Sequence, residues 1–280
     1  METFQKFREF TADKYLKFRR ALGPHNISVK QLRINGYEML VRVEEDVGSQ
    51  IRYLGKFEEA ETNFLARVIG ESDTCFDIGA HLGYYTLLLA TLARKGKVYS
   101  FEPVPLNFYL LQGSIHINGF DNVVANRTAV GDEDGTREFS LSEDTAYSSF
   151  VDTGRIPSKT TFVVPVTTIS SYCREHGVDR IGFMKVDVEG AEGLVISGAG
   201  QIMADPSLRP KLLMLELYEP MLERYGACID SITRTMAAWE FKPFVCDRGR
   251  LVPYENQHYN VFFVSDLSFV DGTEGRKVCL

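Results

Sequence analysis

"TCFDIGAHLGYYTLLLATLAR", residues 74–94, decides how this chain folds. A short apolar run through Ile78 meets a cluster of small residues, Gly79, Ala80 and Gly83, and then a continuous stretch of helix formers begins at Tyr84. Strand, glycine turn and helix in that order form one unit of an α/β sheet. The apolar run "YYTLLLATLA" is about half of the ~18 residues that cross a bilayer, so it predicts a packed helix. Small residues let the loop turn sharply and approach a ligand, and the helix behind it aims backbone N–H groups at the same place.

Outward from this unit the same alternation repeats. Apolar strands are expected at "KVYSFEP", "NVVANRTAV", "IGFMKVDV", "KLLMLELY", "KPFVCD" and "NVFFVSD", with helices after the first, second, fourth and fifth strands of the series. Continuous apolar strands alternating with helices predict a doubly wound, mostly parallel sheet. The last two strands are joined by a loop and are expected as an antiparallel hairpin at one edge. Residues 133–165, rich in Ser, Thr and Asp, predict a loop or strand insertion roofing the pocket. Upstream, residues 28–54 alternate in a β-like way around Asn35-Gly36, a hairpin turn signal. The stretch "KFEEAETNFLARVIG" is expected to be helical. Phe4, Phe7, Phe10, Tyr15, Phe18 and Leu22 recur at helical spacing, which predicts a helix packed on its own domain or on a second copy in a homo-oligomer. The expected division is an N-terminal helix and β-hairpin extension over residues 1–56 and a nucleoside-binding domain over 57–280.

The chain has 280 residues and a formal net charge of −7, which disfavours a nucleic-acid backbone as partner. Its five cysteines are scattered without a C-x-x-C pair, which suits buried thiols in a reducing cytoplasm better than disulfides or structural zinc. No transmembrane span is expected.

The loop reads Asp77-x-Gly79-x-x-x-Gly83, which is neither a dinucleotide G-x-G-x-x-G nor a phosphate loop followed by lysine. Glu102 stands at the second strand tip, where a carboxylate accepts hydrogen bonds from both ribose hydroxyls of a nucleoside. A glycine loop without a phosphate grip, plus a ribose-binding acid, points to S-adenosylmethionine. The block "FMKVDVEGAE", residues 183–192, carries Lys185, Asp187, Glu189 and Glu192 where a buried strand should end. Asp187 is expected beside the cofactor's methionine part or a substrate hydroxyl. Lys185 shares its sheet face and serves either catalysis or an internal ion pair. Glu189 is divided between substrate contact and helix capping, and Glu192 is expected to cap. Asp187, Glu189 and Glu216 are weak candidates for a divalent metal, which is not favoured. His258 is read as a loop histidine with general base as the alternative; His25, His116 and His176 receive no role.

"FDIGAHLGYYT", "VYSFEPVPLNFYLL", "AVGDEDG" and "MKVDVEGAEGLVISGA", in this order, resemble the FkbM family of S-adenosylmethionine-dependent methyltransferases over roughly residues 50–265. The resemblance implies a class I methyltransferase (Rossmann-like) α/β fold, with a seven-stranded mostly parallel sheet whose last strand is antiparallel. It implies O-methylation of a hydroxyl on a sugar, polyketide or other secondary metabolite, a glycan being one such acceptor, with S-adenosylhomocysteine as product. Asp77, Gly79, Ala80 and Gly83 would cradle the methionine part; Glu102, with Pro103 after it, would hold the ribose. The turn Ala129-Val130-Gly131-Asp132 would border the adenine. His81 stands where asparagine is expected at least as often, and its side chain is expected to face solvent or backbone. Catalysis would fall to Asp187, Lys185 and Glu189. The alternatives are a catalytically inactive cofactor-binding partner subunit and a nicotinamide-dependent oxidoreductase, the latter disfavoured by the loop spacing.

Overall fold

In a computed structural model, residues 28–255 and 259–271 are described. The expected N-terminal helix, His25, His258 and Cys279 lie outside them. Two strands, β1 (Val29–Ile34) and β2 (Tyr37–Arg42), lead into helices α1 (Asp46–Leu54) and α2 (Glu59–Val68). The alternating part begins with β3 (Thr74–Ile78), α3 (Tyr84–Leu92), β4 (Lys97–Phe101), α4 (Pro105–Asn118) and β5 (Val123–Asn126). Next come β6 (Ala129–Val130), β7 (Gly135–Ser142), β8 (Ser158–Thr167) and α5 (Ile169–His176). The second half holds β9 (Phe183–Val186), α6 (Glu192–Gly198), α7 (Gly200–Ala204), β10 (Leu212–Glu216), α8 (Glu219–Leu222) and α9 (Ile229–Ala238). It ends with β11 (Lys242–Asp247), β12 (Arg250–Pro253), β13 (Asn260–Val264) and α10 (Leu267–Asp271).

The central sheet has the order β12-β11-β13-β10-β9-β3-β4-β5, parallel from β10 to β5. Its inner strands are buried on both faces, so consecutive residues serve different cores. Phe183 and Met214 join the cluster under α2 and α3, while Met184 and Leu213 join the one under α5, α6 and α9. The chain moves outward one way from β3 and the other way from β9. The crevice between these two strand tips is therefore the switch point where an open α/β sheet binds its ligand.

Two expectations are corrected. The last two predicted strands pair antiparallel, but not at the edge: β13 inserts between β10 and β11. Phe262 and Phe263 point to opposite faces and are both fully buried, which requires cover on both sides. The edge is taken by an eighth strand, β12, which follows Arg248-Gly249, both at positive φ in a two-residue hairpin turn. Its exposed residues and terminal Pro253 suit an unpaired edge. "NVVANRTAV" is also not one strand. After Asn126 the chain leaves the main sheet, and β6 joins β7 and β8 in a separate three-stranded sheet.

The β1–β2 hairpin turns through Asn35 and Gly36, both at positive φ. Met39 and Val41 of β2 enter the same apolar cluster as α3. The outer edge of β2 is satisfied by α4: the N–H of Glu38 donates to Asn118 Oδ1 (2.8 Å) and that of Leu40 to Ser114 Oγ (2.9 Å). Among the described residues no helix is long and apolar enough to cross a membrane. Of the described cysteines, Cys75, Cys173 and Cys246 are buried and all four are free.

Buried Asn122 closes the C-terminal end of α3, donating from Nδ2 to the carbonyls of Ala90 (3.0 Å) and Ala93 (2.9 Å). Asn122→Ala leaves two helix-end carbonyls without that donor. Urea denaturation should register a loss of about 1–3 kcal/mol.

Candidate active site

The tips of β3 and β9 approach so closely that only glycine fits between them. A Cβ on Gly79, at φ +80°, would lie 1.8 Å from the carbonyl oxygen of Asp187. The loop then fastens to β4. The N–H groups of Gly79 and Ala80 both donate to the carbonyl of Phe101, and that of His81 donates to Glu102 Oε2 at 2.8 Å. Glu102 Oε1 accepts from the N–H of Val104 at 2.8 Å. Burial raises the Glu102 carboxyl to about 6, against the opposing effect of His81 and these amides.

Behind the loop lies an internal charge cluster. Asp77 and Lys185 are register partners on β3 and β9. Lys185 Nζ donates to Asp187 Oδ2 at 2.7 Å and sits 4.9 Å from the centre of the Tyr85 ring. Burial works against its charge, but Asp187, Asp77 and Glu58 more than offset this and hold the ammonium above its ordinary range. Asp187 is half-buried, and Lys185 outweighs the effect of that burial to keep its carboxyl below the usual value. Asp77 accepts from Thr86 Oγ1 through Oδ2 (2.5 Å), while its buried Oδ1 has no partner. Glu58 accepts from the Tyr85 hydroxyl and from Asn260 Nδ2. Burial raises the carboxyls of both Asp77 and Glu58, with Lys185 opposing.

A second group of acids stands at the cleft mouth. Asp187, Glu189 and Glu216 each bring one oxygen within 4.8 Å of the others. Burial and the Asp187 charge raise Glu189 to about 8, although Arg155 Nη1 donates to it at 3.0 Å. Burial, Asp187 and Glu189 push Glu216 well above the carboxylate range. The Arg155 guanidinium lies over the rings of Tyr147 (4.3 Å) and Tyr218 (5.4 Å). The three weak metal candidates are thus together, but Asp187 is paired with Lys185 and Glu189 with Arg155.

The β7–β8 connection, residues 143–157, roofs the cleft. Thr145 Oγ1 donates to the buried carboxylate of Glu45 (2.9 Å) and lies 3.2 Å from His81 Nε2. Tyr147 donates to Asp46 (2.7 Å), and Ser149 donates to the carbonyl of Val188 (2.8 Å). His81 therefore does not face solvent or backbone, as expected, but turns under the roof toward Thr145 and Glu45. The polar side chains arriving from α1 and the roof give its ring a better partner than water does.

Of the residues named from sequence, Asp77, Gly79, Ala80, His81, Glu102 and Pro103 line this single cleft. So do Ala129, Val130, Lys185, Asp187, Glu189 and Glu216. Gly83 is not in the wall: at φ +92° it starts α3, and a Cβ there would strike Leu111. Gly131 packs against Val166 and Asp132 pairs with Arg137 (2.6 Å), so the turn offers only its first two residues. Glu192 is buried and accepts from the N–H groups of Val188 (3.0 Å) and Gly190 (3.3 Å), bracing the turn as well as opening α6. Glu58, Arg155 and Tyr147 were missed. Glu58 is at positive φ immediately before α2, inside a run that reads as ordinary helix. Arg155 sits within the polar insertion, where only its position above the pocket marked it.

Residues 77–243, well over half of the chain, match the family model described as the methyltransferase FkbM domain. Among curated proteins, 31-O-demethyl-FK506 methyltransferase FkbM of Streptomyces tacrolimicus is 30% identical over 158 residues, 45% of this chain and 59% of that protein. The chain spans about half the length of the curated relatives it matches, from 42% to 59%. Among solved structures, methyltransferase FkbM from Methylobacillus flagellatus KT is similar at a TM-score of 0.42 and 16% identity, over 70% of this chain and 44% of that one. The Pyrococcus horikoshii TYW2 complex with MeSAdo is similar at 0.41 and 16%, over 85% and 70%. Likenesses this loose carry neither fold nor substrate to this chain.

Lys185→Met removes the cation shared by Asp187, Asp77 and Glu58. Stranding buried charges in this way costs about 3–5 kcal/mol. Without the lysine, the folded-state pKa values of Asp77 and Glu58 rise further above their unfolded values, and that of Asp187 is no longer held below its own. The stability they contribute is then present at low pH and lost as pH rises. Urea denaturation should show the deficit near pH 8 and a smaller one near pH 5; an equal deficit at both contradicts the charge assignment.

Proposed function

The chain belongs to the methyltransferase FkbM family, and we propose that it transfers a methyl group from S-adenosylmethionine to a hydroxyl oxygen of a small acceptor such as a sugar or polyketide. The observation carrying this is the convergence, in one cleft at the sheet's switch point, of the glycine loop, the Glu102 strand tip and the Asp187 cluster.

The residues present fit the cofactor. Glu102 Oε2 accepts only the His81 N–H and keeps a lone pair for a ribose hydroxyl, while Oε1 accepts the Val104 N–H and, at 3.5 Å, Asn107 Nδ2. Asp77 Oδ1 is a buried acceptor still lacking a donor, which the α-ammonium of the methionine part would supply. Ala129, Val130, Phe139 and Phe150 give the cleft an apolar wall, suited to the adenine. When bound, S-adenosylmethionine supplies a methyl group already activated on a sulfonium, so the chain's work is mainly positioning. Asp187, held ionised by Lys185, accepts a hydrogen bond from the acceptor hydroxyl and orients its oxygen. The hydroxyl proton passes into the Asp187–Glu189–Glu216 cluster. Lys185 acts through Asp187 and touches no substrate in this scheme.

A small, uncharged acceptor fits the charge of the cleft. Its two lining cations, Lys185 and Arg155, are paired with Asp187 and Glu189, which leaves neither free for a phosphate among the described residues. The scheme uses no metal, so chelator treatment should leave methyl transfer intact, and loss of activity restored by Mg²⁺ would reinstate the acid trio as ligands.

Methyl transfer is tested by S-adenosylhomocysteine release on a panel of hydroxylated metabolites, with the product identified by mass spectrometry. Cofactor binding without release on any acceptor would favour the partner-subunit alternative. NADH binding in its place would favour the oxidoreductase. Glu102→Ala should weaken S-adenosylhomocysteine binding in calorimetry by about 1–3 kcal/mol; unchanged affinity refutes the ribose assignment.

A further inference from the structure

Seven carboxylic side chains line the cleft against two permanent cations, Lys185 and Arg155. Each cation is already bonded to one acid of the mouth. What remains is an excess of acid in a poorly solvated place. Glu216 adds a third carboxyl within 4.8 Å of Asp187 and Glu189, and Asp77 Oδ1 is buried without a partner on the same wall. Ionising all three carboxyls at that separation beside only two cations is disfavoured, and a further positive charge, brought by a proton or a ligand, relieves it.

On the premise that the cleft binds S-adenosylmethionine, we propose that the Asp187–Glu189–Glu216 cluster exchanges a proton against the charge of the methyl donor. The cluster gives up a proton when the sulfonium enters and takes one back when the methyl group leaves. The bookkeeping of the transfer closes on this exchange. The new oxygen–carbon bond forms as the sulfur–carbon bond breaks, sulfur keeps the electron pair, and the hydroxyl proton goes to the cluster. The charge that sulfur loses is the charge the proton brings, so the net charge inside the cleft is the same before and after reaction.

The surroundings of the cluster bear this out from every side. From β9 Lys185 holds Asp187 ionised, and from the roof Arg155 faces Glu189. From the first residue of α6, buried Glu192, itself raised to about 7 by burial, pushes Glu189 and Glu216 further up. His81 of the glycine loop is a further basic group acting on Asp187. Asp77 and Glu58 lie behind Lys185 and compete for it. Tyr147 and Tyr218 meet the guanidinium, and Tyr85 meets the ammonium, through their ring faces. Burial with these acids raises Glu189 to about 8 and Glu216 well above the carboxylate range, so the ligand-free cluster carries protons at neutral pH.

The sign follows from linkage. A protonated cluster must lose its proton to admit the sulfonium, so affinity for S-adenosylmethionine falls as pH drops below about 8. One linked proton makes this at most about tenfold per pH unit. S-adenosylhomocysteine has the same adenosine and amino-acid parts but no sulfonium, and its affinity should stay level from pH 6 to 8. Titration calorimetry in two buffers of different ionisation enthalpy counts the protons released by each ligand and needs no acceptor. Near pH 7, S-adenosylmethionine should release more protons than S-adenosylhomocysteine, by up to about one per site. The Glu189→Gln/Glu216→Gln variant should close that gap while still binding the product, and Glu189→Gln alone should narrow it. Equal proton release by the two ligands at every pH overturns the proposal and leaves cofactor binding standing. Failure of both ligands to bind overturns the cofactor reading beneath it.

Discussion

The approach of β3 to β9 is the constraint on which the site depends. These two strands are adjacent in the sheet but far apart in sequence, and the chain leaves their tips toward opposite faces. The backbones come so close there that the position after Ile78 has no room for a Cβ against the Asp187 carbonyl. That contact does two things at once. It places Asp77 across from Lys185 in the ladder, and it turns the loop so that its next N–H groups reach Phe101 and Glu102. The nucleoside-binding tip, the glycine loop and the acid cluster therefore share one reference point in the backbone rather than being assembled by long side chains.

Packing charges at buried strand tips is costly, and the cost shows where the polar groups are incompletely paired. Asp77 Oδ1 and Glu192 Oε2 are both buried without a partner. Lys185 serves Asp187, Asp77 and Glu58 together, so each of these acids has only a share of one cation. A half-satisfied polar network is less stable than an apolar core of the same size. Its presence in otherwise apolar strands such as Phe183–Val186 marks a place where stability has been given up for chemistry. Compensation comes from the two apolar faces of the sheet, where Phe76, Phe101, Phe183, Phe262 and Phe263 are all fully buried.

The parts of this arrangement legible in the sequence were those set by local rules. The strand–glycine–helix unit over residues 74–94 follows from apolar run length and small residues, and the strand tips at Asp77, Glu102 and Asp187 follow from where those runs stop. The parallel core was legible because "LLML" is apolar at every position and "FMKV" at all but Lys185, as strands covered on both faces should be. The place of β13 was not, because insertion between β10 and β11 is a long-range outcome of how two phenylalanines pointing oppositely find cover. Strand β12 had a local signal in Arg248-Gly249, but one arginine-glycine pair is a weak turn marker beside Asn-Gly. Glu58 lies in a run whose helical period says nothing of a site, and Arg155 in an insertion without a motif, so only the folded chain brings them in. His81 was misplaced for the same reason, since its partners Thr145 and Glu45 come from elements 64 and 36 residues away.

The roof over the cleft is built differently from its floor. Its root, the β6–β7–β8 sheet, is anchored by apolar packing of Phe139, Val164 and Val166. Toward its tip, hydrogen bonds fasten it to two separate parts of the molecule: Glu45 and Asp46 on one side, Val188 and Tyr225 on the other. A hydrogen bond contributes about 1 kcal/mol net, whereas burying one large apolar side chain contributes about 1.5–3 kcal/mol. The tip is thus held by polar contacts more than by apolar burial. Arg155 rides on that tip, held at 3.0 Å to Glu189 and over two tyrosine rings. The roof thereby contributes one of the two cations of the mouth cluster, and its polar contacts set the position of the charge that opposes the rise of Glu189.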